Sequence, residues 1–298
     1  MSLRAELLRL AMRRLIKART SSETTVAQGR RVMARAERFV PRLPAAVSTI
    51  ALDAGGVPAD RVTAPGSRAD RHILYLHGGA FCAGSPQLYR NLTWRLAGAA
   101  GATALVPDYR LAPEYPFPAA LDDATRAYDW LLADGADPRR IAVAGDSAGG
   151  GLVFSLLLRL RDSGRPLPVA AAALSPWTDL ALTGASLKGN TAKDPLLDAR
   201  QLPRVTRWYL DGADPRQPAA SPVYGDCRGL PPVLIQVGSD EILHDDAVRM
   251  AERMRAGGAE ATLEIWPRMP HVWQLFAGIL PEARRAIVRI GEFLRPHL

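Results

Sequence analysis

Cysteine is scarce in this chain, with only Cys82 and Cys227 among 298 residues. Two cysteines supply no disulfide framework at this length, so a reducing compartment is the simpler expectation. The sequence also lacks an unbroken apolar run long enough to span a bilayer. Charged residues interrupt the N-terminal segment too often for the apolar core of a signal peptide. We therefore expect a cytoplasmic protein with no stable membrane insertion.

The chain also has no Cys/His spacing typical of zinc, no internal repeat and no low-complexity tract. Neither a metal ion nor another cofactor is therefore expected. Hydrophobic residues make up 48% of the chain and charged residues 23%, a composition that suits a sizeable core and argues against general disorder. The length is compatible with one α/β domain that carries an added cap.

The net charge of +8 is concentrated at the N-terminus. Residues 1–42 contain eleven Lys or Arg and three Glu, so this segment carries the whole excess and the remainder is neutral. A solvated helix face is the favoured interpretation, and contact with an anionic surface or an acidic partner is the alternative. No series of aromatic residues is interleaved with these arginines, so a nucleic-acid partner is not expected.

Short apolar runs alternate with helical patterns along most of the chain. Two early strands, at 47–52 and just before Pro65, precede the others. Further strands are predicted at 73–76, 102–106, 141–144, 169–174, 233–237 and 261–265, and helices at 121–132, 152–161, 245–255 and 284–294. This alternation predicts an α/β fold with a mostly parallel eight-stranded sheet and helices on both faces. Sites in such sheets form at the carboxyl ends of the strands.

Two regions lack this alternation of strands and helices, and their patterns predict a helical cap. Apolar residues recur at helical spacing over 3–18 and more weakly over 24–40, and neither helix would be stable alone. Residues 176–225 contain no clear strand, and so long a structureless loop is implausible in a compact domain. The predicted division is N-terminal cap helices 1–45, the first part of the core 46–175, a cap insert 176–225 and the second part of the core 226–298.

The strongest local motif is Gly145-Asp146-Ser147-Ala148-Gly149. It lies between a predicted strand and a predicted helix, which is the context of the G-x-S-x-G nucleophile elbow. Glycines permit the sharp turn, and the helix N-terminus favours negative charge that develops beside the serine. Ser147 is therefore predicted as the nucleophile.

A second motif, His77-Gly78-Gly79-Ala80-Phe81, directly follows a strand. Its small residues leave backbone N–H groups accessible, so Gly78, Gly79 and Ala80, with Ala148 after the nucleophile, are predicted to form an oxyanion hole. His77 precedes the nucleophile, whereas the fold's base follows it, so His77 is expected to be structural.

His271 is the predicted general base, because it follows the nucleophile and lies just after the last strand. The strand at 233–237 is followed by Asp240 and Glu241, with Asp245 and Asp246 in the next turn. Asp240 is closest to the end of the strand and is predicted as the triad acid. Asp179 is a remoter alternative.

Substrate-binding residues are predicted around the nucleophile and in the cap. The helices at 3–18 and 24–40 are expected to dock on the insert and to roof Ser147, although ordinary core packing is the commoner fate of such side chains. The predicted substrate-binding residues are Phe81, Asp146, Met33, Phe39, Trp208 and Tyr209.

These motifs, together with Asp108-Tyr109-Arg110-Leu111-Ala112-Pro113-Glu114, Gly238-Ser239-Asp240-Glu241 and Met269-Pro270-His271, resemble the bacterial hormone-sensitive-lipase family of esterases. The resemblance covers residue 70 to the end and includes the GDSAG form of the elbow. It implies an α/β-hydrolase fold, a helical cap and hydrolysis of short- to medium-chain acyl esters without a cofactor. Alanine at position 80, where the family has a third glycine, is a departure.

The expected function is thus a carboxylesterase that acts on a small-molecule acyl ester through a Ser-His-Asp triad. A lactone or amide hydrolase with the same triad is the alternative among enzymes, since each proceeds through an acyl-enzyme. A non-catalytic ligand receptor on this fold is less favoured, because both Ser147 and His271 are present. A homodimer is compatible with the sequence.

Overall fold

The fold is described by a computed structural model that covers residues 2–19 and 24–298. Its strands are β1 Ser48–Asp53, β2 Pro58–Thr63, β3 Arg68–Leu76, β4 Ala102–Pro107, β5 Ile141–Asp146, β6 Ala170–Leu174, β7 Val233–Gly238 and β8 Ala261–Trp266. Within the described residues they form one sheet in the order β1-β2-β4-β3-β5-β6-β7-β8. The β1–β2 and β2–β4 pairs are antiparallel and the others are parallel. The predicted α/β-hydrolase fold with a mostly parallel eight-stranded sheet is confirmed.

Helices cover both faces of this sheet. They are α1 Leu3–Leu15, α2 Val26–Glu37, α3 Pro86–Ala100, α4 Ala119–Ala133, α5 Ser147–Asp162, α6 Ser186–Gly189, α7 Leu202–Leu210, α8 His244–Ala256 and α9 Pro281–Leu294. Short 3₁₀ turns occur at Lys17–Arg19, Pro138–Arg140, Ala199–Gln201, Pro222–Tyr224 and Trp273–Phe276. Among the described helices, none is long and apolar enough to cross a bilayer.

Successive side chains of a strand point to opposite faces of the sheet, so the core has two layers. In β3, Ile73 and Tyr75 lie in the cluster that packs under α3 and α9. Leu74 and Leu76 lie in the cluster that packs under α4, α5 and α8. This follows from the two-residue period of a strand, and it explains why buried strands of this sheet are apolar throughout.

Helix α1 docks through the buried apolar side chains of Ala5 and Met12 and through polar side chains. Arg9 has only 6% of its surface exposed, and its Nη2 donates to Asp240 Oδ2 at 2.8 Å. Arg13 and Lys17 also reach the cap insert, where they donate to backbone carbonyls. The acceptors are the carbonyls of Thr191, Lys193 and Asp194. Residues 1 and 20–23, which belong to the predicted 1–45 cap segment, lie outside the described residues.

Helix α2 lies over the loops that follow β3 and β4. Arg30 Nε donates to the Cys82 carbonyl at 2.8 Å, and Nη2 donates to the Ala112 carbonyl at 3.0 Å. The same guanidinium pairs with the Glu114 carboxylate. One arginine therefore fastens this helix at the carboxyl edge of the sheet, where the candidate nucleophile lies.

Candidate active site

Ser147 lies at a tight turn between β5 and α5. Its backbone has φ of 53°, in the left-handed region that non-glycine residues rarely occupy. The turn packs closely on the end of β3, because a Cβ at position 149 would lie 2.0 Å from the Leu76 carbonyl oxygen. Only glycine fits at Gly149. This packing holds the serine hydroxyl at the carboxyl edge of the sheet.

His271 follows β8 and reaches the serine. Its Nε2 lies 2.9 Å from Ser147 Oγ, and the side chain is 5% exposed. The loop that carries it is tied to the end of β6, where Ser175 Oγ accepts the Val272 amide at 3.2 Å. The two residues predicted as nucleophile and base are thus brought within hydrogen-bond distance.

Glu241 is the acid that contacts His271. Its Oε2 lies 2.7 Å from His271 Nδ1, and the residue is fully buried. The other oxygen accepts from Ser175 Oγ at 2.8 Å and from the Gly238 amide at 2.5 Å. Three donors therefore hold this carboxylate in one orientation, as a buried charge requires.

The prediction of Asp240 as the acid is wrong. Asp240 accepts from Arg9 at 2.8 Å, on the side of the loop that faces α1. Adjacent residues in this turn direct their side chains to opposite sides, so only one of the two acids can face the imidazole. The longer Glu241 side chain reaches His271 from one position further along the chain.

The other candidate acids form hydrogen bonds or ion pairs that involve residues 176–225. Asp245 accepts the Ser186 amide at 2.8 Å, and Asp246 accepts the amides of Thr178 and Asp179. Asp179 itself pairs with Arg249. None of these carboxylates is placed against the histidine.

The Glu241 carboxylate determines which nitrogen of His271 carries the proton and raises the pKa of the ring. A carboxylate only accepts hydrogen bonds, so the proton of neutral His271 resides on Nδ1 and Nε2 is left to accept from the serine hydroxyl. Burial acts to lower the pKa of His271, but the hydrogen bond and charge of Glu241 outweigh it and leave the pKa raised above its ordinary value. The pair therefore strengthens His271 as a proton acceptor.

One of the four amides predicted as oxyanion donors already has another acceptor. The Gly78 amide donates to Asp146 Oδ1 at 2.9 Å, so its prediction as an oxyanion donor is wrong. The amides of Gly79 and Ala80 donate to no described acceptor, nor does that of Ala148 in the first turn of α5. Ala80 has φ of 57°, in the left-handed region that a residue with a Cβ rarely occupies.

Asp146 supports the loop from beneath and does not bind substrate. It is 1% exposed and also accepts from the Tyr75 hydroxyl at 2.8 Å. Burial raises the pKa of Asp146 to about 7, although these hydrogen bonds act in the opposite direction. The substrate-binding prediction for Asp146 is therefore wrong, because its carboxylate is enclosed behind Gly78.

His77 is structural, as the chain order indicated. Its ring is stacked on Tyr109 with the centroids 4.3 Å apart, and the Tyr109 hydroxyl donates to the His77 carbonyl at 2.6 Å. Complete burial lowers the pKa of His77 to about 4, so the ring is neutral at physiological pH. These contacts fix the start of the oxyanion loop.

The residues predicted to bind substrate differ in how far they are buried. Phe81 stacks on Tyr209 of α7 with ring centroids 3.8 Å apart and also contacts Trp177. Trp208 is half-buried against the same core layer. Met33 is half-buried on the inner side of α2. Phe39 is 85% exposed, so the prediction that it lines a roof over Ser147 is wrong.

Several residues that position the site were not singled out from the sequence. Asp194, in the cap insert, accepts the Ile242 amide at 3.0 Å and so braces the turn that carries Glu241. Ser175 contacts both the acid and the base loop. Its position directly after a strand was a usable signal, whereas nothing local marks Asp194.

Known proteins are similar to this chain in sequence and in fold. A protein family with the α/β-hydrolase fold is matched by its sequence model over residues 73–275 of this chain. An acetyl-hydrolase of Streptomyces hygroscopicus is 52% identical over 231 residues, which cover 78% of this chain and 77% of that protein. An esterase of Acinetobacter venetianus is 36% identical and covers 94% of this chain, with 93% of its own length aligned.

Solved structures agree with these relatives. The crystal structure of an esterase from the bacterial hormone-sensitive-lipase family superposes with a TM-score of 0.95 at 46% identity, over 100% of this chain and 99% of that one. The structure of the esterase EstE5, soaked with p-nitrophenyl butyrate, gives a TM-score of 0.94 at 39% identity over the same shares. The chain is a carboxylic ester hydrolase and belongs to the bacterial hormone-sensitive-lipase family of α/β-hydrolase-fold esterases.

Proposed function

We propose that this esterase cleaves short- to medium-chain acyl esters through Ser147, His271 and Glu241 and an acyl-enzyme intermediate. The observation that carries the proposal is the continuous hydrogen-bonded series from Ser147 Oγ through both imidazole nitrogens to Glu241. Nucleophile, base and orienting acid then occupy the roles of a serine-hydrolase triad, with glutamate in place of the predicted aspartate.

In the first half-reaction, Ser147 Oγ attacks the ester carbonyl carbon and His271 Nε2 takes the hydroxyl proton. The carbonyl electron pair moves onto oxygen, and Glu241 stabilises the imidazolium that results. The tetrahedral intermediate collapses as the imidazolium gives its proton to the departing alkoxide. An alcohol leaves, and the acyl group remains on Ser147.

In the second half-reaction, water replaces the alcohol. His271 Nε2 takes a proton from water as the water oxygen attacks the acyl carbon. Collapse of this second intermediate breaks the bond to Ser147 Oγ, which recovers its proton from the imidazolium. A carboxylic acid is released.

The oxyanion is bound by the amides of Gly79, Ala80 and Ala148. These amides donate to no other described acceptor, and the α5 N-terminus adds favourable potential. A donor of this kind is worth about 2.7–4 kcal/mol of transition-state stabilisation. Asp146 and His77 contribute by holding the loop still.

Acyl-chain length is set by the cap. The aromatic cluster of Phe81, Trp177 and Tyr209 lies between the oxyanion loop and α7, and α2 is fastened over the same loop by Arg30. The names of the relatives support small acyl groups, since one is an acetyl-hydrolase and a neighbouring crystal was soaked with a butyrate ester.

Ser147→Ala should abolish hydrolysis of p-nitrophenyl acetate, with kcat reduced by about four to six orders of magnitude, because the triad members act as a unit. The circular dichroism spectrum and melting temperature should stay at the parent values. Activity within tenfold of the parent would exclude Ser147 as the nucleophile.

Glu241→Gln should lower kcat/KM by about two to four orders of magnitude, because an amide cannot hold the productive imidazole tautomer. Asp240→Asn is the matched control on the neighbouring residue. It should leave kcat/KM within about threefold but destabilise the chain by about 1.5–3 kcal/mol in urea titration, since a charged hydrogen bond to Arg9 is weakened. The reverse pattern would restore Asp240 as the acid.

Activity should fall on the acid side with an apparent pKa above the ordinary value of about 6.5, because only neutral His271 accepts the serine proton and Glu241 raises its pKa. In Glu241→Gln the raising interaction is lost while burial remains, so the residual activity should titrate at lower pH. The measurement is kcat/KM for p-nitrophenyl acetate against pH. An acid limb that is identical in the two proteins would contradict the coupling.

Arg30→Met should impair hydrolysis of longer esters more than that of acetate, because it releases α2 from the oxyanion loop. Arg31→Met is the control on the exposed side of the same helix. The measurement is kcat/KM for p-nitrophenyl esters from acetate to palmitate, and the parent should favour acetate to octanoate. An unchanged chain-length profile in Arg30→Met would refute the role of α2, and a parent preference for palmitate would refute the proposed substrate class.

A further inference from the structure

Helix α1 presents its apolar stripe to solvent. Ala5, Arg9 and Met12 form its buried face. Leu3, Leu7 and Leu10 follow at spacings of four and three, so they form a stripe on the opposite side. Their exposed fractions are 77%, 58% and 50%. A surface helix of a globular protein normally buries such a stripe, but here the buried face contains an arginine and the exposed one contains leucines.

Helix α2 presents a row of arginines to solvent. Arg31, Arg35 and Arg38 follow at the same spacings and are all exposed. None of them forms an ion pair with a described acidic residue. Arg30, on the inner side, is the arginine that fastens the helix to the core. The outer row is therefore not required for the attachment of α2.

Ile279 lies next to both helices. Its carbonyl accepts from Arg4 of α1, and its side chain is 56% exposed. It also borders an apolar groove that Phe39 lines from the end of α2, together with Leu88 and Phe276. We call the surface formed by Leu3, Leu7, Leu10, Arg31, Arg35, Arg38, Phe39 and Ile279 the outer cap face.

We propose that the outer cap face docks the enzyme peripherally on an anionic lipid bilayer. Leucine and phenylalanine side chains enter the boundary between headgroups and acyl chains, while the arginines contact lipid phosphates. Residues 1–42 carry the entire net charge of +8, and Arg31, Arg35 and Arg38 of this segment lie on the outer cap face. The inference is independent of the proposed catalytic roles and concerns where the esterase acts.

Two other occupants fit the face less well. A second copy of the chain would bring two such basic segments together, and their like charges would repel. A nucleic acid would leave the leucine stripe without an apolar partner. An anionic bilayer satisfies both the charge and the apolar side chains.

The test is co-sedimentation of the full-length protein with vesicles of phosphatidylcholine alone or mixed equally with phosphatidylglycerol. Binding is expected to the mixed vesicles and to weaken steeply as salt rises from 0.1 to 0.5 M, because ions screen the arginines. Equal binding to both compositions, or no binding to either, would overturn the proposal.

Two triple variants separate charge from apolar insertion. Arg31→Gln, Arg35→Gln and Arg38→Gln together should weaken binding at least about tenfold, since each basic residue near the surface contributes separately. The control replaces three exposed arginines elsewhere, Arg68, Arg139 and Arg228, by Gln and removes the same net charge. An equal loss in the control would show that net charge alone, not this face, attracts the protein.

Leu3→Ser, Leu7→Ser and Leu10→Ser together should also weaken binding at least about tenfold, because buried apolar area is lost. The control replaces Ile50, Ile265 and Val288, which are similarly exposed, by Ser. Hydrolysis of p-nitrophenyl acetate should stay unchanged in all four proteins and reports that each is folded. Leucine-dependent dimerisation in analytical ultracentrifugation without vesicles would overturn the proposal in favour of a second copy.

Discussion

The buried carboxylate of Glu241 is the group on which the geometry of the site depends. A fully buried charge is tolerated only when hydrogen bonds satisfy it, and its partners come from three different strand ends. Ser175 follows β6, Gly238 ends β7, and His271 follows β8. Satisfying one carboxylate therefore brings three loops to a common point. The same contacts place the imidazole beside Ser147.

A second set of close contacts holds the nucleophile and the oxyanion loop together. Gly149 lies against the end of β3 with no space for a side chain, and Asp146 accepts the Gly78 amide from below. His77 is fixed between tyrosine rings at the start of the same loop. The strain of left-handed residues such as Ser147 and Ala80 is sustained because the surrounding packing leaves no alternative.

Helices α1 and α2 and the segment 176–225 are joined to this core by polar contacts as well as by apolar packing. Arg9 reaches Asp240, Arg30 reaches the carbonyls next to the oxyanion loop, and Asp194 supports the turn of Glu241. These directional bonds connect α1, α2 and the segment 176–225 to the turn of Glu241 and to the loop after β3. Leu3, Leu7 and Leu10 of α1 remain exposed and form part of the outer cap face.

The sequence by itself determined the fold class, the elbow at Ser147 and the histidine that faces it. Those features depend on local context and chain order: strands alternate with helices, glycines flank the serine, and one histidine follows the last strand. Only the tertiary structure decided between Asp240 and Glu241, because adjacent side chains in a turn point to opposite sides and the position of Arg9 is remote in sequence. It also decided the roles of Gly78 and Asp146, and the exposure of Leu3 and Phe39. A helical pattern shows that one face is apolar, but whether that face is covered depends on what packs against it, and in α1 the covered face contains Arg9 beside Ala5 and Met12.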